Sequence, residues 1–327
     1  MNSHRCSRAI FCLECLVLPF FAPAVLAQQK ADAPELTKTQ EEHNAGTKGD
    51  AKAPIDGIRD NSFLIEEAYN QEAGVVQHIF TGLYAKFDRG EADDRELSFS
   101  FTQEWPVFSQ THQLSYTVPY AFLDSDRAEH DSGPGDVQLN YRYQMSDDAG
   151  SWPAISPRIS LIFPSGDEDR GLGTGVLGYQ FNLPISKTLT DHLYLNLNAG
   201  ITFFPDTGFE FSNGRRPHER DLLHFNLGAS VIYALTEDVH LMLEAAGNFN
   251  QELEEFSTTE GGRLRVKRPR SNEVVISPGI RWATNLPDDL QLVSGLAFPI
   301  GVSDDAMDYG VFLYFSIEHP FVRSAMD

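Results

Sequence analysis

From about Val75 to Phe321 apolar side chains recur at every second position, in segments of roughly ten residues. Val137, Leu139, Tyr141, Tyr143 and Met145 fall on one face of such a segment, with Gln138, Asn140, Arg142 and Gln144 on the other. Leu114, Tyr116, Val118, Tyr120 and Phe122 repeat the pattern. Strands of soluble sandwiches run to about five or six residues, whereas a tilted bilayer crossing takes about nine to eleven. The segments here have the longer length, at 75–87, 97–106, 112–123, 135–145, 154–164, 174–184, 193–203, 222–235, 239–250, 273–284, 290–301 and 309–320. Their number is even, as bacterial single-chain barrels require. The expected fold is therefore all-β: a transmembrane antiparallel up-and-down barrel of about 12 strands.

The connections support this. Long ones (88–96, 124–134, 165–173, 204–221, 251–272) alternate with short ones such as Val107–Thr111, Thr236–Asp238 and Asn285–Asp289, as extracellular loops alternate with periplasmic turns. Ser146–Pro153 is long for a turn, and Ser303–Asp308 is short for a loop.

Ahead of the barrel, Arg5 and Arg8 precede an apolar run from Ala9 to Ala27, which reads as a secretory signal cleaved after Ala27. Glu14 and two prolines interrupt the run and argue against an uncleaved anchor. Cys6, Cys12 and Cys15 would leave with it, so no thiol or disulfide is expected in the exported chain. Residues 28–61 lack period and aromatics and read as a disordered periplasmic tail. Ser62–Gln71 is amphipathic, and helix, extra strand and plug at the barrel mouth all fit it. The barrel is expected over 62–322, with a short C-terminal tail at 323–327.

Formal net charge is −22, and losing a signal with two arginines and one glutamate makes it −23. Nucleic acid is excluded as a partner on that ground. Acid concentrates in predicted loops, at Asp124, Asp126, Glu129 and Asp131, at Asp167, Glu168 and Asp169, and at Asp304, Asp305 and Asp308. Either these keep the loops soluble or divalent cations bridge them to anionic lipid; no ordered calcium-loop spacing marks a metal site. The basic residues Arg263, Arg265, Lys267, Arg268 and Arg270 reverse the sign, beside a loop carrying Arg215, Arg216 and Arg220. They either meet solvent and lipopolysaccharide phosphates or fold inward to attract an anionic solute.

With the apolar set facing lipid, Glu104, Arg142, Arg158, His224, His240, Glu244, Arg281 and Glu318 point into the lumen. Glu104, Arg142, Arg158, Arg281 and Glu318 fall toward the periplasmic half, and Glu244 and Arg281, on adjacent strands, are expected to pair. Such a network either holds the barrel in shape or serves as gate or filter. Inward glycines at 178, 200, 228, 279 and 295 leave space for a channel, a plug or larger neighbours.

No enzyme, cofactor or metal is expected: the chain has no Gly-x-Ser-x-Gly elbow and no His-Glu-x-x-His motif, and its histidines are scattered. A lipase-like outer face is the remaining enzymatic alternative, with His78 and His319 as interfacial histidines, and no catalytic residue is assigned. At the C-terminus, Asp308-Tyr-Gly310-Val-Phe-Leu313-Tyr-Phe315 resembles the signal read by the barrel-assembly machinery.

Ile65-Glu-Glu-Ala-Tyr-Asn-Gln71 with Gly74-Val-Val-Gln-His78, Gly135-Asp-Val-Gln-Leu-Asn-Tyr-Arg-Tyr143, Phe163-Pro-Ser-Gly-Asp167 and Ser277-Pro-Gly-Ile-Arg281 resemble the phenol-degradation meta-pathway (MetA-pathway) family of outer-membrane transporters, over most of residues 62–321. The resemblance implies a Gram-negative outer-membrane barrel, surrounded by lipid and lipopolysaccharide, that takes up small aromatic or apolar solutes. A closed barrel with a structural, binding or scaffolding role is the alternative. Twelve strands are too few for the wide aqueous pore of sixteen- to eighteen-stranded porins.

Overall fold

The computed structural model describes residues 58, 60–88, 93–125, 130–207, 220–252, 254–257, 264–267, 270–287 and 290–320. Among them, twelve barrel strands form one closed antiparallel sheet. In chain order they are β1 (Val75–Asp88), β2 (Asp93–Val107), β3 (Ser109–Ser125), β4 (Asp131–Pro134 with Val137–Tyr143), β5 (Ala154–Ile155 with Arg158–Phe163), β6 (Gly178–Thr190), β7 (Leu193–Thr207), β8 (Arg220–Thr236), β9 (Val239–Gln251), β10 (Arg270–Leu286), β11 (Leu290–Ala297 with Ile300–Gly301) and β12 (Tyr309–Pro320). Each pairs with its neighbours in sequence, and β12 returns to β1 over a register from Val75↔Pro320 to Lys86↔Tyr309. Closure leaves the sheet no open edge, which hydrocarbon would not tolerate.

Burial alternates along the strands as the sequence pattern requires. The outer face carries Leu139, Ile159, Phe181, Leu227, Leu243 and Leu313, all exposed. An apolar belt of this extent, all the way round a closed sheet, is stable only against lipid.

The ends of the barrel differ. One, the turn end, has the tight connections: Phe108 alone, in the left-handed region (φ 64°), joins β2 to β3, and Asp191-His192 and Glu237-Asp238 join later pairs. The long connection Ser146–Pro153 also lies there. Asp148 holds it, accepting from Lys187 Nζ and from the Thr188 N–H at 2.7 Å. Burial pushes the Asp148 carboxyl up, but those bonds and the Lys187 charge outweigh it and hold its pKa below the usual aspartate range. Outward aromatics gather at this end, including Trp105 against Tyr116 (6.0 Å), and His112 against Tyr141 (6.0 Å), as an interfacial girdle does. At the other, loop end, Asp136 accepts from Gly166 N (2.9 Å), Thr174 N (2.8 Å) and Thr174 Oγ1 (2.7 Å), tying the β5–β6 loop down. That loop contains a single 3₁₀ turn, Glu168–Arg170, ended by Gly171 at φ 73°.

β6 runs to Thr190, six residues beyond the expected limit of 184, and starts at Gly178 instead of 174. Residues 174–177 are drawn into the loop by Asp136. The signal segment, residues 28–57, the tail beyond Pro320 and the Arg215–Arg216 pair lie outside the described residues.

Candidate functional site

Residues 60–71 lie inside the lumen as an irregular strap, neither helix nor strand. Neither the helix nor the extra strand expected of Ser62–Gln71 forms, and the luminal stretch begins before residue 62. Ile58 is fully buried and Asp60 nearly so, although both belong to the stretch read as tail.

Irregular backbone inside a membrane-embedded barrel has no sheet or helix partner, and each buried N–H and C=O must be met some other way. The inward side chains of the wall do this. Glu244 Oε1 accepts from Leu64 N (3.0 Å) and Ile65 N (3.2 Å). Asn198 brackets Glu66, accepting from its N–H at 2.8 Å and donating to its carbonyl at 2.7 Å. Ala68 N donates to Ser186 Oγ (2.8 Å), and its carbonyl accepts from Ser156 Oγ (2.8 Å). Gln144 and Gln113 accept from Asn70 N (3.0 Å) and Gln71 N (2.7 Å).

Two arginines with almost no solvent exposure carry most of the carbonyls. Arg281 Nη1 donates to Asp60 O and Asn61 O, both at 2.7 Å, and lies 3.5 Å from Glu67 Oε1. Arg142 donates to Glu67 O (3.1 Å), Tyr69 O (2.6 Å) and Asn70 Oδ1 (2.8 Å). The strap supplies the countercharge: Glu66 takes Arg142 Nη1 at 3.1 Å and Arg158 Nε at 2.9 Å. Asp60 accepts from Gln77, Tyr314 and Ser316. Gln77 also accepts from the Gln71 side chain, so one residue near the start of β1 joins both ends of the strap.

Apolar strap residues fill holes left by luminal glycines. A Cβ on Gly295 would lie 2.2 Å from Phe63 Cζ, and one on Gly279 would lie 3.0 Å from Phe63 Cε2. The Phe63 ring is tilted against Phe312 (5.5 Å between centroids) and Tyr314 (5.3 Å). Ile65 occupies the Gly228 hole, its Cδ1 2.1 Å from where a Cβ would be. Gly178 and Gly200 instead make room for wall side chains, Phe204 and Asn226.

Of the expected luminal residues, Glu104, Arg142, Arg158, Glu244 and Arg281 meet the strap or its immediate partners. Glu104 accepts from Gln113 at 2.8 Å and sits 3.9 Å from Arg142. His240 is fully buried, its Nδ1 accepting from Arg281 Nε at 3.3 Å, and Glu318 is buried on β12 opposite Gln77. His224 lies apart, edge-on to Phe204 at 5.3 Å. The expected Glu244–Arg281 pair does not form. The register sets Glu244 opposite Ser277 and Arg281 opposite His240, and each charge is taken by a different part of the strap.

The basic loop divides. Arg263 and Arg268 lie outside the described residues, Arg265 and Lys267 belong to a loop hairpin pairing Leu264–Lys267 with Glu254–Ser257, and Arg270 is exposed at the start of β10. His78 and His319 face outward near the turn end, their Nε2 atoms 3.2 Å apart. Sequence reasoning missed Asp60, Phe63, Glu66, Glu67 and the asparagines at 182, 198 and 226. The inward glycines together with an inward apolar face on β1 (Ile79, Leu83, Phe87) were the signal that something apolar occupies the lumen.

No protein-family model matches the chain, and no curated protein matches it in sequence. Solved structures do. The COG4313 outer membrane channel from Pseudomonas putida F1 superposes with a TM-score of 0.58 at 12% identity, covering 77% of this chain and 97% of that one. The fold is that of an outer-membrane β-barrel. The NanC porin (10% identity, 74% and 98% covered, TM-score 0.41) and the CymD monoaromatic hydrocarbon channel (9%, 77% and 90%, 0.38) are looser matches. At these identities the likeness extends to the fold alone.

Proposed function

We propose that the protein is an outer-membrane channel for small aromatic or apolar solutes, held closed by the luminal strap, with the turn end periplasmic and the loop end extracellular. One observation carries this reading: a separate chain segment is seated in the lumen, among the side chains of the wall. Eight-stranded barrels close their interiors with wall side chains alone. Here the wall presents glycines at 228, 279 and 295 and turns hydrogen-bonding groups toward the strap, so that removing the strap would vacate a space lined by polar groups on one side and by Leu83, Val275 and Phe312 on the other. The luminal arginines and glutamates then serve as the latch that seats the strap. The basic loop residues fit contacts with lipopolysaccharide phosphates, since Arg270 is exposed where β10 leaves the barrel.

The test compares planar-bilayer conductance and solute flux of the mature chain with those of a variant lacking Asp60–Gln71. Heat-modifiable gel migration confirms that each barrel is folded. A nearly silent mature chain and a conducting deletion variant are expected. A folded deletion variant that stays silent overturns the channel reading in favour of a closed structural barrel.

A further inference from the structure

On the loop side of the strap lies a cavity of about 160 Å³, floored by Phe63–Glu66. Its two walls differ in chemistry. Leu83, Val275, Met307 and Phe312 make one side apolar; Asn182, Asn198, Asn226 and Asn248 make the other a surface of carboxamides. The polar side follows from register. Arg158↔Asn182, Asn182↔Gly200, Gly200↔Asn226, Asn226↔Asn248 and Asn248↔Glu273 are successive cross-strand partners, giving one row across β5 to β10. Gly200 opens a gap in the row, through which Asn226 Nδ2 reaches Asn182 Oδ1 at 3.3 Å.

The carboxamides are unequally occupied. Asn198 is committed to the Glu66 backbone, and Asn182 to Glu66 Oε2 at 2.9 Å. Among the described residues Asn226 Oδ1 and the whole Asn248 amide have no hydrogen-bond partner. Neutral, two-way hydrogen-bonding groups that face an apolar wall suit a guest with the same division. The charges select further. Arg158 is engaged by Glu66, Asn140 and Ser160, and Glu273 stands at the far end of the row. An anion would find acid and no uncommitted guanidinium.

We propose that this cavity is a binding site for uncharged, ring-sized molecules carrying one hydroxyl or carboxamide, the polar group on Asn226 and Asn248 and the body against Leu83, Val275 and Phe312. A cavity of ~150 Å³ is enough for a benzene-sized guest, so a six-membered ring with one substituent is the size class. The site deepens the channel reading and rests on it, as the place where a solute waits on the closed strap.

Saturation-transfer-difference NMR on the mature chain in lipid nanodiscs tests it, with cyclohexanol, cyclohexane and cyclohexanecarboxylate as probes. Cyclohexanol is expected to bind in preference to the other two. Asn226→Leu with Asn248→Leu should weaken its binding at least tenfold, and Ala246→Phe, which fills the cavity from the position next to Asn248 on the inward face of β9, should abolish it. Cyclohexanol binding unchanged in both variants overturns the site, as does equal or tighter binding of the carboxylate. The reading is separable from channel function. Conductance on strap removal without cyclohexanol binding removes this site alone, and site-specific binding in a barrel that never conducts removes the channel reading alone.

Discussion

The fit of Phe63 into the Gly279–Gly295 hole makes Gly295→Val the sharpest perturbation of the strap. A valine is at home in a strand, so the barrel itself should form, but the first side-chain carbon would stand 2.2 Å and 2.4 Å from Phe63 Cζ and Cε1. The ring must leave. Its half-burial puts the lost transfer energy near the low end for a phenylalanine, about 1.5 kcal/mol. Two aromatic neighbours at 5.5 and 5.3 Å add about 0.5–1.5 kcal/mol each. A loss of roughly 2.5–4.5 kcal/mol, at 1.4 kcal/mol per tenfold, raises the undocked fraction roughly sixty- to sixteen-hundredfold. Single-channel recording reads this as open probability, and limited proteolysis of the strap reads it independently. Phe63→Ala should open the strap too, while the Gly295→Val/Phe63→Ala double variant should be much less affected than the sum, because the clash goes with the ring. If Gly295→Val leaves both open probability and strap protection at wild-type values, glycine and phenylalanine are not lock and key, and the plugging argument fails with them.

Arg142→Met and Arg281→Met each remove carbonyl partners from the strap and should cost about 3–5 kcal/mol of docking, whereas Arg158→Met, after which Glu66 keeps Arg142 as an ionic partner, should cost less. Ranking the three by strap proteolysis checks this. Glu244→Gln keeps an acceptor for Leu64 and Ile65 and should be close to neutral in conductance, while Glu244→Leu should raise open probability at least tenfold. Asp148 has a folded pKa below its unfolded one, so its stabilisation is present above about pH 4 and lost as pH falls further. Protease susceptibility of Ser146–Pro153 in the wild type should rise on acidification, and Asp148→Asn should be susceptible already at pH 7.

The alternation of side chains made the strands legible because a barrel wall has one chemical environment on each face, and Val137–Tyr143 needs nothing more than its period. Inward charges such as Arg142 and Arg281 were legible for the same reason. Their partners were not. A charge pattern suggests opposite charges, yet the chief acceptors are neutral carbonyls of Asp60, Asn61, Glu67 and Tyr69, which every sequence contains and none advertises. The strap was opaque because its regularity resides in the wall: without a period of its own, Ser62–Gln71 fits helix, strand or coil until the holes that receive Phe63 and Ile65 are known. β6 was misplaced at both ends because Asp136, distant in sequence, pulls Thr174 into a loop.

Gln77 draws Asp60 and Gln71 together beneath a tip at Leu64–Glu66, so residues 60–71 form an Ω-shaped loop with both ends beside the start of β1. That geometry sets an order of assembly. A segment threaded from mouth to mouth would have to be in place before the first and last strands met. A loop tucked in from one side can wait outside until the β1–β12 seam has zipped, and then dock. The residues made before any strand are thus the last to find their places, and a newly inserted barrel should pass through an interval in which it leaks.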